Sequence, residues 1–441
     1  KVYTYRSDKG GWGYTSVSNG RPVFRTDDDE VPVGTGFWYV SKGGSPSVTW
    51  ADGSVGAEFV NGTDGALTYG AADWKIEKTA FENDAFPHSY VRFVCNADGT
   101  EILYCPIGKS GEFRTPAGVQ KIGEGAFQAC TNFTKITITG QIREIGKNAF
   151  YGCVNVRELV FEEDEDPLSI GEGAFTNCSS LTNVVFPSTL KSIGSHTFVG
   201  CSQFLSVNIE VPRLTIGDRA FRDCDSLRLL RFKGDELVVK DRAFFGCGGL
   251  QEVNLKAQLV TLAEGVFSGG TDTDYVNYGY CDRLASAVLS ASGASTFGDS
   301  VFSSCGGLQT VELPVGLDGV PQNAFSYCTS LQSIALSSNV TSIAYRAFDT
   351  CTSLKVVELS EGLRTIDAQA FYGCESLPVL KIPQSVSSIG NRAFEACDGL
   401  GEVVFAGVDT NLYAAAEIGI GERCFYQDFA LSNVVFSVPF K

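Results

Sequence analysis

From residue 122 onward, apolar and polar positions recur at a fixed interval. Blocks such as IGEGAFQACTNFTKITI from Ile122, IGKNAFYGCVNVRELVF from Ile145 and IGSHTFVGCSQFLSVNI from Ile193 place an aliphatic residue, an Ala-Phe pair, a Cys and an alternating apolar segment at constant offsets. Further units open at Ile170, Ile216, Val239, Leu262, Phe297, Val320, Ile343, Ile366, Ile389 and Ile420. Most intervals are 23 residues; those after Ile145, Leu262 and Ile389 are 25, 35 and 31. The alternation in V-x-L predicts a short strand, with Val311 and Leu313, or Ile334 and Leu336, toward the core and Glu312 and Ala335 outward. The A-F-x-x-C segment is too short for a free helix and is expected to form a turn, 3₁₀ turn or short helical turn on the opposite side.

One such unit cannot bury its own Ile, Phe and Leu, so it must stack on copies of itself. A period in the twenties with apolar residues at fixed offsets is the signature of a leucine-rich-repeat solenoid. Strands about 4.8 Å apart would carry thirteen units over roughly 60 Å. The repeat phenylalanines, from Phe127 to Phe425, then form one buried row.

The cysteines follow the same period. Of fifteen, twelve lie on one column: Cys130, Cys153, Cys178, Cys201, Cys224, Cys247, Cys281, Cys305, Cys328, Cys351, Cys374 and Cys397. A zinc site needs two ligands close in sequence, which one thiol per unit does not supply. Parallel side chains on a stack also point past one another, which disfavours disulfides. The column therefore reads as small buried thiols with weak hydrogen-bonding capacity. Cys95 and Cys105 stand outside it, and a hairpin disulfide between them is left open; Cys424 takes the Ala position of the last unit.

All four tryptophans (Trp12, Trp38, Trp50 and Trp74) precede the first cysteine, which marks a domain boundary. Residues 1–90 read as a small β-rich domain punctuated by Gly and Pro, and residues 91–441 as the solenoid, with an opening hairpin cap at about 98–120. The formal charge of −17 disfavours nucleic acid and anionic membrane surfaces as partners. No apolar run is long enough for a transmembrane segment. The chain opens KVYTYRSDKGG, without an apolar signal core, and any signal peptide is taken as already removed.

Units such as SIGNRAFEACDGLGEVVF and TSIAYRAFDTCTSLKVVEL, with the lead-in DGTEILYCPIGKSGEFRTPAGVQKIGEGAF, resemble the BspA-like branch of the leucine-rich-repeat family over about residues 98–441. The resemblance implies a curved solenoid exported to a cell surface or secreted, and adhesion to a protein or glycan on a host or neighbouring cell. It implies no catalytic residues and no cofactor.

Candidate chemistry is sparse. His88 and His196 come with no nucleophile motif, so the chain is not expected to be an enzyme. The acidic runs Asp27–Glu30 and Glu162–Asp166 lack the spaced geometry of a calcium loop and read as solvated. The insertion GTDTDYVNYGY, with Asp272, Asp274, Tyr275, Tyr278 and Tyr280, interrupts the array and is a candidate contact loop. Outward strand positions form two columns that include Asn208, Arg231, Asn254, Glu312, Glu358 and Lys381, a face suited to macromolecular contact. The alternative is a glycan-binding N-terminal domain, its aromatic faces stacking on sugars, carried on a structural spacer.

Overall fold

A computed structural model describes the backbone of residues 94–96, 98–105, 109–163, 165–269, 281–406 and 418–437, and of eight short strands upstream. The chain divides into two compact units, Lys1–Lys109 and Ser110–Lys441. The first unit is β-rich: its described elements are strands, with Gly11–Ser18 antiparallel to Arg21–Thr26 and Val94–Asn96 antiparallel to Glu101–Tyr104. Cys95 and Cys105 are both buried there. The tryptophan side chains, and with them the glycan-stacking alternative, lie outside the described residues.

The second unit is a solenoid of thirteen coils, counted here from Ile122 (coil 1) to Ile420 (coil 13). Each coil contributes two short strands rather than the one that V-x-L announces. The first sheet is parallel and begins at Ser110–Arg114, Asn132–Ile138 and Glu158–Phe161. It runs unbroken through nine strands to Thr310–Glu312. The second sheet uses residues just before the repeat aliphatic, as in Leu190–Ile193, Arg213–Ile216 and Glu236–Val239, also in parallel register. Ile334 and Leu336 are buried and Glu312 and Ala335 exposed, as the alternation predicts; Val311 and Leu313 are only half-buried, at the point where the first sheet's ladder is interrupted.

Between the second sheet and the cysteine the described residues form no helix; they form consecutive tight turns. Coil 3 shows the rule. Ala174, Thr176 and Cys178 donate their N–H locally, to the carbonyls of Gly171, Gly173 and Phe175 (3.0–3.3 Å). Gly173, Phe175 and Asn177 donate instead to Ser195, Thr197 and Val199 of the next coil, each at 2.8 Å. Alternate amides thus serve the turn and the neighbour, which satisfies a buried backbone completely. The arrangement requires positive φ at two places, here Gly173 (63°) and Asn177 (59°), each at the third position of a turn whose second position is not left-handed, as in type II.

The first of these places is left-handed in all thirteen coils, although Gly holds it only at Gly125, Gly173 and Gly265; His196, Arg219 and Arg346 are among the other occupants. Two such residues four apart exclude an α-helix. The residue after the repeat aliphatic is often Gly for a different reason. A Cβ on Gly217 would lie 2.5 Å from the Ser195 nitrogen of the preceding coil.

The phenylalanines occupy the centre. Successive rings from Phe127 to Phe425 lie 4.7–5.6 Å apart with interplanar angles of 2–18°. The long intervals do not disturb them: Phe267 and Phe302 are 5.1 Å apart, Phe394 and Phe425 5.6 Å. Phe221→Ala, in the middle of the row, is expected to lower the free energy of unfolding by about 3–5 kcal/mol. A urea titration followed by circular dichroism checks this, and a loss under about 1 kcal/mol would contradict a close-packed row.

Beside the rings runs the thiol column. From Cys153 to Cys397 each Sγ donates to the carbonyl of the phenylalanine one coil back, at 3.2–3.3 Å except for Cys281 (3.8 Å to Phe244). All fifteen cysteines are buried. Burial pushes thiols of the column such as Cys178, Cys201 and Cys224 up, Cys201 to about 12, so their thiolates do not form near neutrality. The folded protein at pH 8 should therefore leave the column unlabelled by a thiol-reactive disulfide reagent, whereas the urea-unfolded chain should consume fifteen equivalents. Labelling of half the thiols before unfolding would refute it.

Candidate interaction surface

Among the described residues no three His, Cys, Asp or Glu side chains converge to hold a metal ion. The second acidic run is occupied with coil-to-coil bonds. Glu162 takes a forked pair from Arg114, Glu163 accepts from the Ser188 N–H and hydroxyl, and Arg143 lies 2.9 Å from Asp166. The run Asp27–Glu30 lies outside the described residues.

The first sheet turns its unburied side outward as rows of side chains in register. Strand Ser206–Glu210 alternates with Val207 and Ile209 buried and Asn208 and Glu210 exposed. Parallel pairing places Asn208 beside Arg231, Arg231 beside Asn254, Asn254 beside Val288 and Val288 beside Glu312. Four of the six outward residues singled out in the sequence therefore stand on one row. Glu358 is paired with Ala335 on the next part of the array, and Lys381 with Val404. The loop residues Asp272, Asp274, Tyr275, Tyr278 and Tyr280 fall at 270–280, outside the described residues.

Alongside lies the row Lys135, Glu158, Asn183, Ser206, Leu229, Glu252, Ser286 and Thr310. A third row, Glu210, Lys233, Lys256 and Ser290, extends the face by one further alternation. The sequence reading missed it because it stopped at V-x-L, although the same period continues two residues on. Opposite charges meet across these rows. Lys135 Nζ lies 3.0 Å from Glu158 and Arg231 3.2 Å from Glu252, and Lys233 bonds Glu210. The hydrogen bond to Glu158 raises the Lys135 ammonium above its ordinary value. Between these pairs the face exposes aliphatic side chains, with Val185 at 72% and Val356 at 49%. It is a surface of partly paired charge and scattered apolar area.

On the turn side a shallow groove of about 320 Å³ is lined by His196, Asp218, Arg219, Asp241, Arg242 and Glu264. Its charges are mixed, with Arg242 3.3 Å from Glu264, so it presents no field of one sign.

Exposed pairs on a sheet contribute little to stability because water screens them. Arg231→Ala and Lys381→Ala are expected to change the unfolding free energy by less than about 0.5 kcal/mol. A denaturant titration checks this; a loss above about 2 kcal/mol would mean that these residues hold the fold rather than face a partner.

A family model described as BspA type Leucine rich repeat region matches residues 104–228, 195–281 and 271–401, in six copies. No curated protein sequence matches the chain. Among solved structures, a leucine-rich repeat protein from Bacteroides ovatus is 23% identical, aligns over 80% of this chain and 91% of its own, and has a TM-score of 0.49. A leucine rich cell surface protein from Faecalibacterium prausnitzii is 20% identical over 85% of this chain and 95% of its own, with a TM-score of 0.38. A leucine rich repeat protein from T. pallidum is 24% identical over 52% of this chain and 88% of its own, with a TM-score of 0.34.

Proposed function

Because the chain belongs to the BspA-type leucine-rich-repeat family, we propose that it is an adhesin-like interaction protein, secreted or displayed at a cell surface. Its first sheet would hold a protein or glycan on a host or neighbouring cell. Proteins of this family are repeat scaffolds, generally found at surfaces or in protein interactions. No helix among the described residues is long and apolar enough to cross a membrane.

The observation that carries the reading is the outward face of the first sheet. Three of its charge pairs, Lys135 with Glu158, Arg231 with Glu252 and Lys233 with Glu210, are formed within the sheet, which lowers the cost of desolvating those charges on contact. Exposed valines supply apolar area, Val185 on that sheet and Val356 and Val379 on the corresponding strands further along the array. A rigid row such as Asn208, Arg231 and Asn254 offers hydrogen-bond donors and acceptors already fixed in place, which lowers the entropy lost on binding. A broad polar face with aliphatic spots suits another macromolecule better than a small ligand, which is held in a concave site.

The full chain should bind at least one member of a panel of extracellular-matrix proteins and surface glycans in a biolayer assay. Charge and size changes on the first sheet, such as Val185→Glu with Arg231→Glu, should weaken that binding tenfold or more. Changes on the outer side of the second sheet, such as Thr215→Glu, should not. Equal loss from both sets, or loss from the second alone, would remove the sheet face from the proposal.

A further inference from the structure

The thiol column ends in a carboxylate. In coil 13 the sequence Ile420–Asp428 keeps the repeat's spacing, but Asp428 stands where the twelve preceding coils place a cysteine. Elsewhere that position donates to the phenylalanine carbonyl one coil back, as Cys397 does to Phe371 at 3.2 Å. An ionised carboxylate has no proton to donate. Its bonding is reversed here, because Asp428 Oδ1 accepts from the Cys397 N–H at 2.9 Å. The other oxygen, Oδ2, is buried without a hydrogen-bond partner.

The surroundings add to the penalty on the ionised form. Asp398 and Glu395 both face Asp428 with negative charge. Glu395 is itself buried, with Oε2 lacking a hydrogen bond although Arg392 Nε lies 3.4 Å away. The thiols of Cys397 and Cys424 lie beside it as well; both are raised and stay neutral near pH 7, so neither adds a charge. Uptake of one proton on Oδ2 would remove the charge and restore the donor that the thiol provides in coils 2 to 12.

We propose that Asp428 is a proton-operated latch between coils 12 and 13: protonated, it completes the column and docks coil 13 on coil 12, and ionised, it loosens that contact. Burial, the largest cause, raises the Asp428 carboxyl to about 7. An unfolded aspartate titrates near ~4. A group raised in the folded state favours docking below the unfolded value and loses that contribution as pH rises through the folded one. The latch therefore weakens between about pH 4 and pH 7 and changes little above. The ceiling is about tenfold per pH unit, reduced because the residue is half-exposed.

Hydrogen exchange of the full chain tests this at the amides that coil 12 donates to coil 13. Arg392, Phe394 and Ala396 donate to the carbonyls of Glu422, Cys424 and Tyr426. After correction for the intrinsic exchange rate, their protection should fall about tenfold between pH 5 and pH 8. Amides of interior coils, such as Phe198 and Phe221, should hold theirs. Asp428→Asn, which keeps an acceptor and a neutral donor, and Asp428→Cys, which restores the thiol, should each abolish the pH dependence. A flat profile in the native chain overturns the proposal, as does an unchanged slope in Asp428→Asn. If Asp428→Asn exposes coil 12 at both pH values, Asp428→Cys decides: protection without slope supports the latch, and anything else refutes it.

Discussion

The solenoid depends on one constraint, the hydrogen bonding of the backbone between coils at the turn corner. The chain there is buried against its neighbours and cannot leave amides unpaired. It meets the requirement by alternating local and intercoil bonds, as Ala174 to Gly171 and Gly173 to Ser195 illustrate. That alternation forces a left-handed residue into each coil, and a second into every coil but the seventh, and sets the spacing from one coil to the next. The ring row and the thiol column inherit the spacing. Rings about 5 Å apart and near-parallel are what identical side chains do when their backbones repeat at this distance.

The thiols follow from the same geometry. The phenylalanine carbonyl takes one bond from its own coil's cysteine amide, as Phe198 does from Cys201, and has a second lone pair turned toward the following coil. A small buried donor fits that place, and Cys224 Sγ reaches Phe198 at 3.2 Å. Cysteine here is neither a crosslink nor a metal ligand but a compact hydrogen-bond donor at home among aromatic rings. Its raised titration and its burial come from the same enclosure.

Much of this was legible in the sequence. Period, ring row, thiol column and the two outward rows could be read because each rests on residue types that recur at one offset. The second sheet was not, because strands such as Lys121–Ile122 and Ser342–Ile343 are two residues long and carry no alternation to detect. The left-handed positions were hidden for a related reason: occupants such as His196, Arg219 and Tyr327 are not the residues that announce positive φ. In these places intercoil hydrogen bonding overrides local preference. The candidate surface was legible in part, since the row from Asn208 to Glu312 came from period two, but its paired charges depend on side-chain reach across strands. Asp428 escaped notice because a single departure at the end of a row looks like decay of the pattern.

The irregular intervals carry a consequence for how such a chain can change. Coil 7 holds a segment of extra residues, yet the rings on either side of it, Phe267 and Phe302, remain 5.1 Å apart. The two residues gained after Ile145 likewise leave Phe150 and Phe175 at 5.1 Å. Length added at a corner is thus confined to the coil that receives it and is not transmitted along the axis. The array behaves as a rack whose shelves can each be extended independently. New recognition elements can be grafted and discarded one at a time, with the frame that presents them left intact.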